Sequence, residues 1–111
     1  MPAILDTESA LDRLDGDVEL LRELAESFRE NAEAMLARVR DACARGDAAA
    51  LRQAAHALKG SAANLSGLAV VDVAQELEQL GTSGDASRSG PLLAAFETEM
   101  RRLDEALAAL L

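Results

Sequence analysis

The chain has 111 residues, half of them apolar, a net charge of −9 and a pI near 4.5. That length holds one domain with a single core, and the acidic balance argues against nucleic acid or an anionic membrane as partner, because both need a basic surface. No apolar run approaches the roughly 18 residues of a membrane span, no signal-peptide pattern opens the chain, and a single cysteine excludes an internal disulfide. The expected compartment is the cytoplasm. Ala and Leu dominate the apolar residues, with two Phe and neither Trp nor Tyr, which suits a helical bundle better than a sheet.

Residues 1–15 read as a lead-in with a short helix. Asp6 or Thr7 can cap its start, since a short side-chain oxygen accepts from free backbone N–H groups there. Ala10, Leu11 and Leu14 can lie against the bundle. Asp15-Gly16 signals a turn, and Asp17 is placed to cap the next helix.

From Asp17 to Arg45 the apolar positions Leu21, Leu24, Ala25, Phe28, Ala32, Met35, Leu36, Val39, Ala42 and Cys43 recur at three- and four-residue steps. Cys43 and Met35 read as core filler, because no second Cys and no nearby His completes a metal site. Gly46-Asp47 ends this helix and starts another, with Gly suited to the left-handed position after a helix and Asp to the N-cap. So tight a link forces the two helices antiparallel.

The next helix is expected from about Ala48 to Leu65. At 100° per residue, Leu51, Ala54, Ala55, Leu58, Ala62 and Leu65 fall within about 60° of one line and form the core-facing stripe. His56, the only histidine, lies about 140° from that line and points outward. Arg52 and Ala63 lie beside it, Lys59 sits between it and the stripe, and Gly60 is opposite the stripe. A glycine inside a helix costs about 1 kcal/mol relative to Ala. Gly60 therefore calls for close helix packing or for room beside His56.

A further helix is expected from about Leu68 to Leu80, presenting Val70, Val73, Ala74, Leu77 and Leu80 inward and stopping at Gly81. Residues 81–90 read as a flexible loop. Pro91 fits the first turn of the last helix, where its missing N–H costs nothing. That helix carries Leu92, Leu93, Phe96, Met100, Leu103, Leu107, Leu110 and Leu111. The fold class is all-α: an antiparallel up-down-up-down four-helix bundle with a short N-terminal helix, and residues 1–111 form one domain.

His56-Ala57-Leu58-Lys59-Gly60-Ser61-Ala62-Ala63-Asn64-Leu65 resembles the phosphoacceptor helix of histidine-containing phosphotransfer (HPt) domains of bacterial phosphorelays. The usual form there is His-x-Leu-Lys-Gly-Ser followed by small residues and Asn-Leu-Gly. The resemblance covers almost the whole chain, including Leu11-Asp12-Arg13-Leu14-Asp15-Gly16-Asp17, Phe28 and Leu77-Glu78. One departure is Ser66, which stands where the family often has Gly.

The resemblance implies that the His56 Nε2 attacks the phosphoryl group of a receiver phospho-aspartate and later passes it to another receiver aspartate. Neutral imidazole is a good nucleophile, and phosphoryl transfer needs positioning and charge stabilisation more than covalent machinery. Lys59 would offer a cation to the phosphoryl oxygens, with Arg52 assisting. Gly60 and Ala63 would leave room, Ser61 could hydrogen-bond nearby, and Glu78 could hold the other ring nitrogen. Its bland alternative is a solvated surface Glu. Response-regulator receivers, with or without a hybrid sensor histidine kinase, are the implied partners, docking on the solvent side of the motif helix framed by Arg52, Gln53 and Lys59. Mg²⁺ would come from the receiver, the chain itself needing no cofactor or metal. Monomer is the family's usual state.

No Gly-rich phosphate loop occurs, so autophosphorylation from ATP is not expected. Two other classes fit less well. A non-catalytic helical adaptor gives no reason for His, Lys and Gly at this spacing. A histidine kinase dimerisation domain carries an acidic residue directly after its histidine, where this chain has Ala57.

Overall fold

Short polar residues and glycines divide the chain into its helices. A computed structural model describes residues 3–110. In chain order it has α1 (Thr7–Arg13), α2 (Val18–Arg45), α3 (Ala48–Asn64), α4 (Leu68–Ser83), a 3₁₀ turn (Ala86–Arg88) and α5 (Gly90–Ala108), with no strand among the described residues.

The aspartates open three of the helices. Asp6 accepts from the Ser9 N–H at 3.1 Å, Asp17 from the Leu20 N–H at 3.0 Å and Asp47 from the Ala50 N–H at 3.0 Å. Each satisfies a backbone donor left free in the first turn, worth about 1 kcal/mol. Gly46 closes α2 at φ 63°, a left-handed conformation that glycine adopts without a Cβ penalty.

The four long helices pack in a ring: α2 on α3, α3 on α4, α4 on α5, and α5 back on α2. Phe28, Leu36, Val39, Leu51, Leu58, Leu77, Phe96, Leu103 and Leu107 fill the centre. Fully burying one such side chain contributes about 1.5–3 kcal/mol. Leu51, Ala55, Leu58, Ala62 and Leu65 are buried as the wheel of α3 requires, and Ala54 is half-buried. Val73, Leu80 and Cys43 lie half-buried at the edge of the core. Leu111, expected on the last helix, lies outside the described residues.

Three boundaries differ from the sequence expectation. First, α3 ends at Asn64, with Leu65 as its cap and Ser66 in the left-handed region at φ 54°. The strain at Ser66 is held by its neighbours. Its carbonyl accepts from the Asp6 N–H at 3.0 Å, and its hydroxyl contacts the Ser9 hydroxyl at 3.2 Å. The lead-in thus clasps the α3–α4 corner. The Ala3 carbonyl also accepts from the Ala69 N–H at 2.9 Å, serving α4 where Gly67 has no capping side chain.

Second, Gly81 does not stop α4. The helix continues to Ser83 and closes at Gly84, φ 78°. Gly81 is buried in the crossing of α4 over the start of α3. A Cβ there would stand 2.7 Å from the Arg52 nitrogen and 2.8 Å from the Ala48 carbonyl oxygen. Its missing side chain sets how closely α3 and α4 approach. Third, residues 81–90 carry the last turn of α4, the 3₁₀ turn and the first residue of α5. The 3₁₀ turn buries Ala86 and Ser89, whose hydroxyl donates to the Ala86 carbonyl at 2.6 Å.

Candidate functional site

The close α3–α4 crossing brings one carboxylate of α4 between two side chains of α3. His56 stands outward, its side chain 70% exposed. The Nδ1 atom lies 3.2 Å from Glu78 Oε1 and 3.3 Å from Oε2. Lys59, one turn further on, places Nζ 2.8 Å from the same Oε2. Lys59 and Glu78 are mostly covered, at 25% and 21% exposure.

The hydrogen bond from Lys59 holds the Glu78 carboxyl below the usual carboxylate range. Partial burial opposes that shift and His56 adds to it. Glu78 is therefore ionised at neutral pH. An ionised carboxylate can only accept, so Nδ1 carries a proton, and in the neutral imidazole Nε2 is then the nitrogen with the lone pair. The geometry thus fixes a tautomer whose free nitrogen lies across the ring from Glu78.

Gly60 adjoins this group on the outer face. An added Cβ would meet nothing within 4 Å. Packing within the chain therefore does not call for this glycine, and the surface beside His56 is open. Arg52 is exposed and joins no ion pair among the described residues. Ala63 is half-buried near the C-terminal end of α3, where its carbonyl accepts from the Arg13 guanidinium. The Ser61 hydroxyl turns back to the Ala57 carbonyl of its own helix at 3.3 Å.

Of the expected site residues, the structure brings His56 and Lys59 each into contact with Glu78, leaves Gly60 and Arg52 on the open face, turns the Ser61 hydroxyl to the Ala57 carbonyl and gives the Ala63 carbonyl to the Arg13 side chain. The link between Lys59 and Glu78 was not legible beforehand, because interhelical register has no local sequence signal.

Arg38 of α2 stands near this face, a position that the sequence alone does not reveal. It lines the grooves on both sides of Ala57, between α2 and α3, and joins no ion pair among the described residues. The larger groove, floored by Leu24, Phe28 and Met35, has no acidic residue among its eleven lining positions. In a chain of net charge −9, that leaves an acid-free strip beside the His56 helix. Among the described residues no group of His, Cys, Asp or Glu is arranged to hold a metal ion, and no helix is long and apolar enough to cross a membrane.

The family model described as "Hpt domain" matches residues 23–110. Among solved structures, the chain is similar to histidine-containing phosphotransfer protein B from Pseudomonas aeruginosa PAO1. The TM-score is 0.87 at 24% identity, over 98% of this chain and 95% of that one. No curated protein sequence matches.

Proposed function

The chain belongs to the Hpt domain family, whose members transfer phosphoryl groups on histidine in phosphorelays, and from that premise we propose that His56 is the phosphoacceptor. The group comes from the phospho-aspartate of a receiver domain and leaves to the aspartate of another. The observation that supports this reading is the fixed tautomer of an exposed imidazole. Glu78 holds Nδ1, and Nε2 keeps its lone pair beside an open glycine.

In the transfer step the Nε2 lone pair forms the bond to phosphorus. The bond from phosphorus to the aspartate oxygen breaks, and its electron pair stays on the receiver carboxylate. Nδ1 keeps its proton throughout, so the step needs no general base from solvent. Lys59 supplies a cation for the phosphoryl oxygens, and exposed Arg52 lies one turn away on the same face. The receiver brings Mg²⁺. The partners are receiver domains, alone or within a hybrid sensor histidine kinase, and the carrier works as a monomeric single domain in the cytoplasm without ATP-dependent kinase activity.

The source of the phosphate tests this reading. The protein is incubated with labelled ATP and Mg²⁺, and separately with phosphorylated receivers of the same organism and Mg²⁺. Label arriving from a receiver and not from ATP alone is the expected result. Label taken directly from ATP would overturn the carrier role. No label from any receiver, with the protein shown to be folded, would favour a binding adaptor.

A further inference from the structure

Glu78 is engaged twice. Its Oε2 lies 2.8 Å from Lys59 Nζ and 3.3 Å from His56 Nδ1, so one oxygen serves both neighbours. Lys59 is the lasting cation on the Glu78 carboxylate, and in its neutral, nucleophilic form the imidazole adds no charge to the pair. The Lys59 ammonium is tied to the carboxylate oxygen that also faces Nδ1. The atom proposed to take the phosphoryl group is Nε2, on the other side of the ring.

Phosphorylation at Nε2 with the Nδ1 proton retained brings charge of both signs at once. The ring becomes a cation, and the phosphoryl oxygens carry two negative charges. The resting pair holds one charge of each sign: the Glu78 carboxylate lies 3.2 Å from the ring that becomes a cation, and the Lys59 ammonium is bound to that same carboxylate. Opposite charges in contact attract most strongly where water is partly excluded, and both members of this pair are mostly covered.

We propose that Glu78 exchanges cations during transfer, releasing Lys59 to the phosphoryl oxygens and becoming the counter-ion of the phosphorylated imidazole ring. This rests on His56 as the phosphoacceptor and adds how the site meets the arriving charge. The exchange is reversible. When the phosphoryl group leaves, the ring is neutral again and Lys59 returns to Glu78. Glu78 acts through the ring and the lysine, and is a positioning residue.

Because His56 is the sole histidine, its phosphorylated state can be made without a receiver. Phosphoramidate donates its phosphoryl group to the ring nitrogen and leaves as ammonia, with the P–N electron pair. The protein, labelled with ¹⁵N and ¹³C, is studied by NMR before and after this treatment. In the resting protein, a coupling through the hydrogen bond from Lys59 Nζ to the Glu78 carboxyl carbon is expected. After phosphorylation it falls below about a tenth of its resting value, and a coupling from Lys59 Nζ to ³¹P replaces it. The Nδ1 proton stays on the phosphorylated ring of the wild type and is lost in Glu78→Gln.

Three results would overturn the exchange. One is a Lys59–Glu78 coupling that persists after phosphorylation, which makes the pair a static strut. Another is its absence in the resting protein. The third is an Nδ1 proton that behaves alike in wild type and Glu78→Gln. Since the phosphoryl group is installed chemically, failure of receivers to label His56 would count against the relay reading and leave this test intact.

Discussion

Gly81→Ala separates the architectural glycine from the open one. The new Cβ would lie 2.7 Å from the Arg52 nitrogen, 2.8 Å from the Ala48 carbonyl oxygen and 2.8 Å from the Arg52 Cβ. The first two stand at i and i+4 of α3, the acceptor and donor positions of one helical hydrogen bond. Neither can rotate away, so α3 and α4 must part. Overpacking of this kind costs about 1–3 kcal/mol, offset by about 1 kcal/mol from the better helix propensity of Ala. A backbone clash belongs at the upper end, so the expected net loss is about 1–2 kcal/mol. At about 4–8 °C per kcal/mol for domains of this size class, Tm falls by about 5–15 °C.

The same parting acts on the site. Arg52 is one turn before His56, and Glu78 is about one turn before Gly81, so the His56–Glu78 contact of 3.2 Å lies directly beside the strained crossing. Urea unfolding followed by far-ultraviolet circular dichroism measures the stability, and the ring-nitrogen NMR signals report whether Nδ1 still meets Glu78. A Gly81→Ala protein as stable as the wild type would refute the reasoning, since it would mean that the crossing has slack.

Gly60→Ala should do the opposite. With nothing within 4 Å of the new methyl group, stability should rise by about 1 kcal/mol. Transfer from a receiver should slow at least fivefold, through weaker docking, and an unchanged rate would remove Gly60 from the partner's path. The contribution of Glu78 to folding should depend on pH. Its carboxyl is held below the usual range in the folded protein, first by Lys59, so that stability is complete above the usual carboxylate range and is lost as acid takes the pH down through the depressed value. The stability difference between wild type and Glu78→Gln, read by chemical denaturation, should therefore be present at neutral pH and shrink in acid. A difference that is the same at both would deny the ion pair. Asp47→Ala, which removes the cap at the start of α3, should cost about 1 kcal/mol in thermal unfolding while leaving the transfer rate within about twofold.

The helices were legible because their physics is local. The three-four spacing of Leu51, Ala55, Leu58 and Ala62 assigns one face of α3 to the core, and the buried set agrees. Gly46-Asp47 marks a helix end and a helix start by the backbone needs of each, and both occur there. Gly81 is ambiguous in the sequence because a glycine serves two ends, stopping a helix or letting two helices touch, and only the position of α3 decides between them. Ser66 shows the converse. A left-handed residue at a helix end needs no glycine where Asp6 and Ser9 of a distant segment brace it. At the site, the outward direction of His56 followed from the wheel, and Glu78 beside it from the family likeness. That Lys59 is already bound to Glu78 depends on the register of α3 against α4, which no single stretch of sequence encodes.

The central claim is that His56 accepts the phosphoryl group from a receiver. Mixing a phosphorylated receiver with Mg²⁺ and either wild type or His56→Gln, then following label that is lost in acid and kept in base, tests it most directly. Label on the wild type and none on a folded His56→Gln protein is the predicted result. Label of equal extent on His56→Gln would contradict the account, since the group would then reside on another residue.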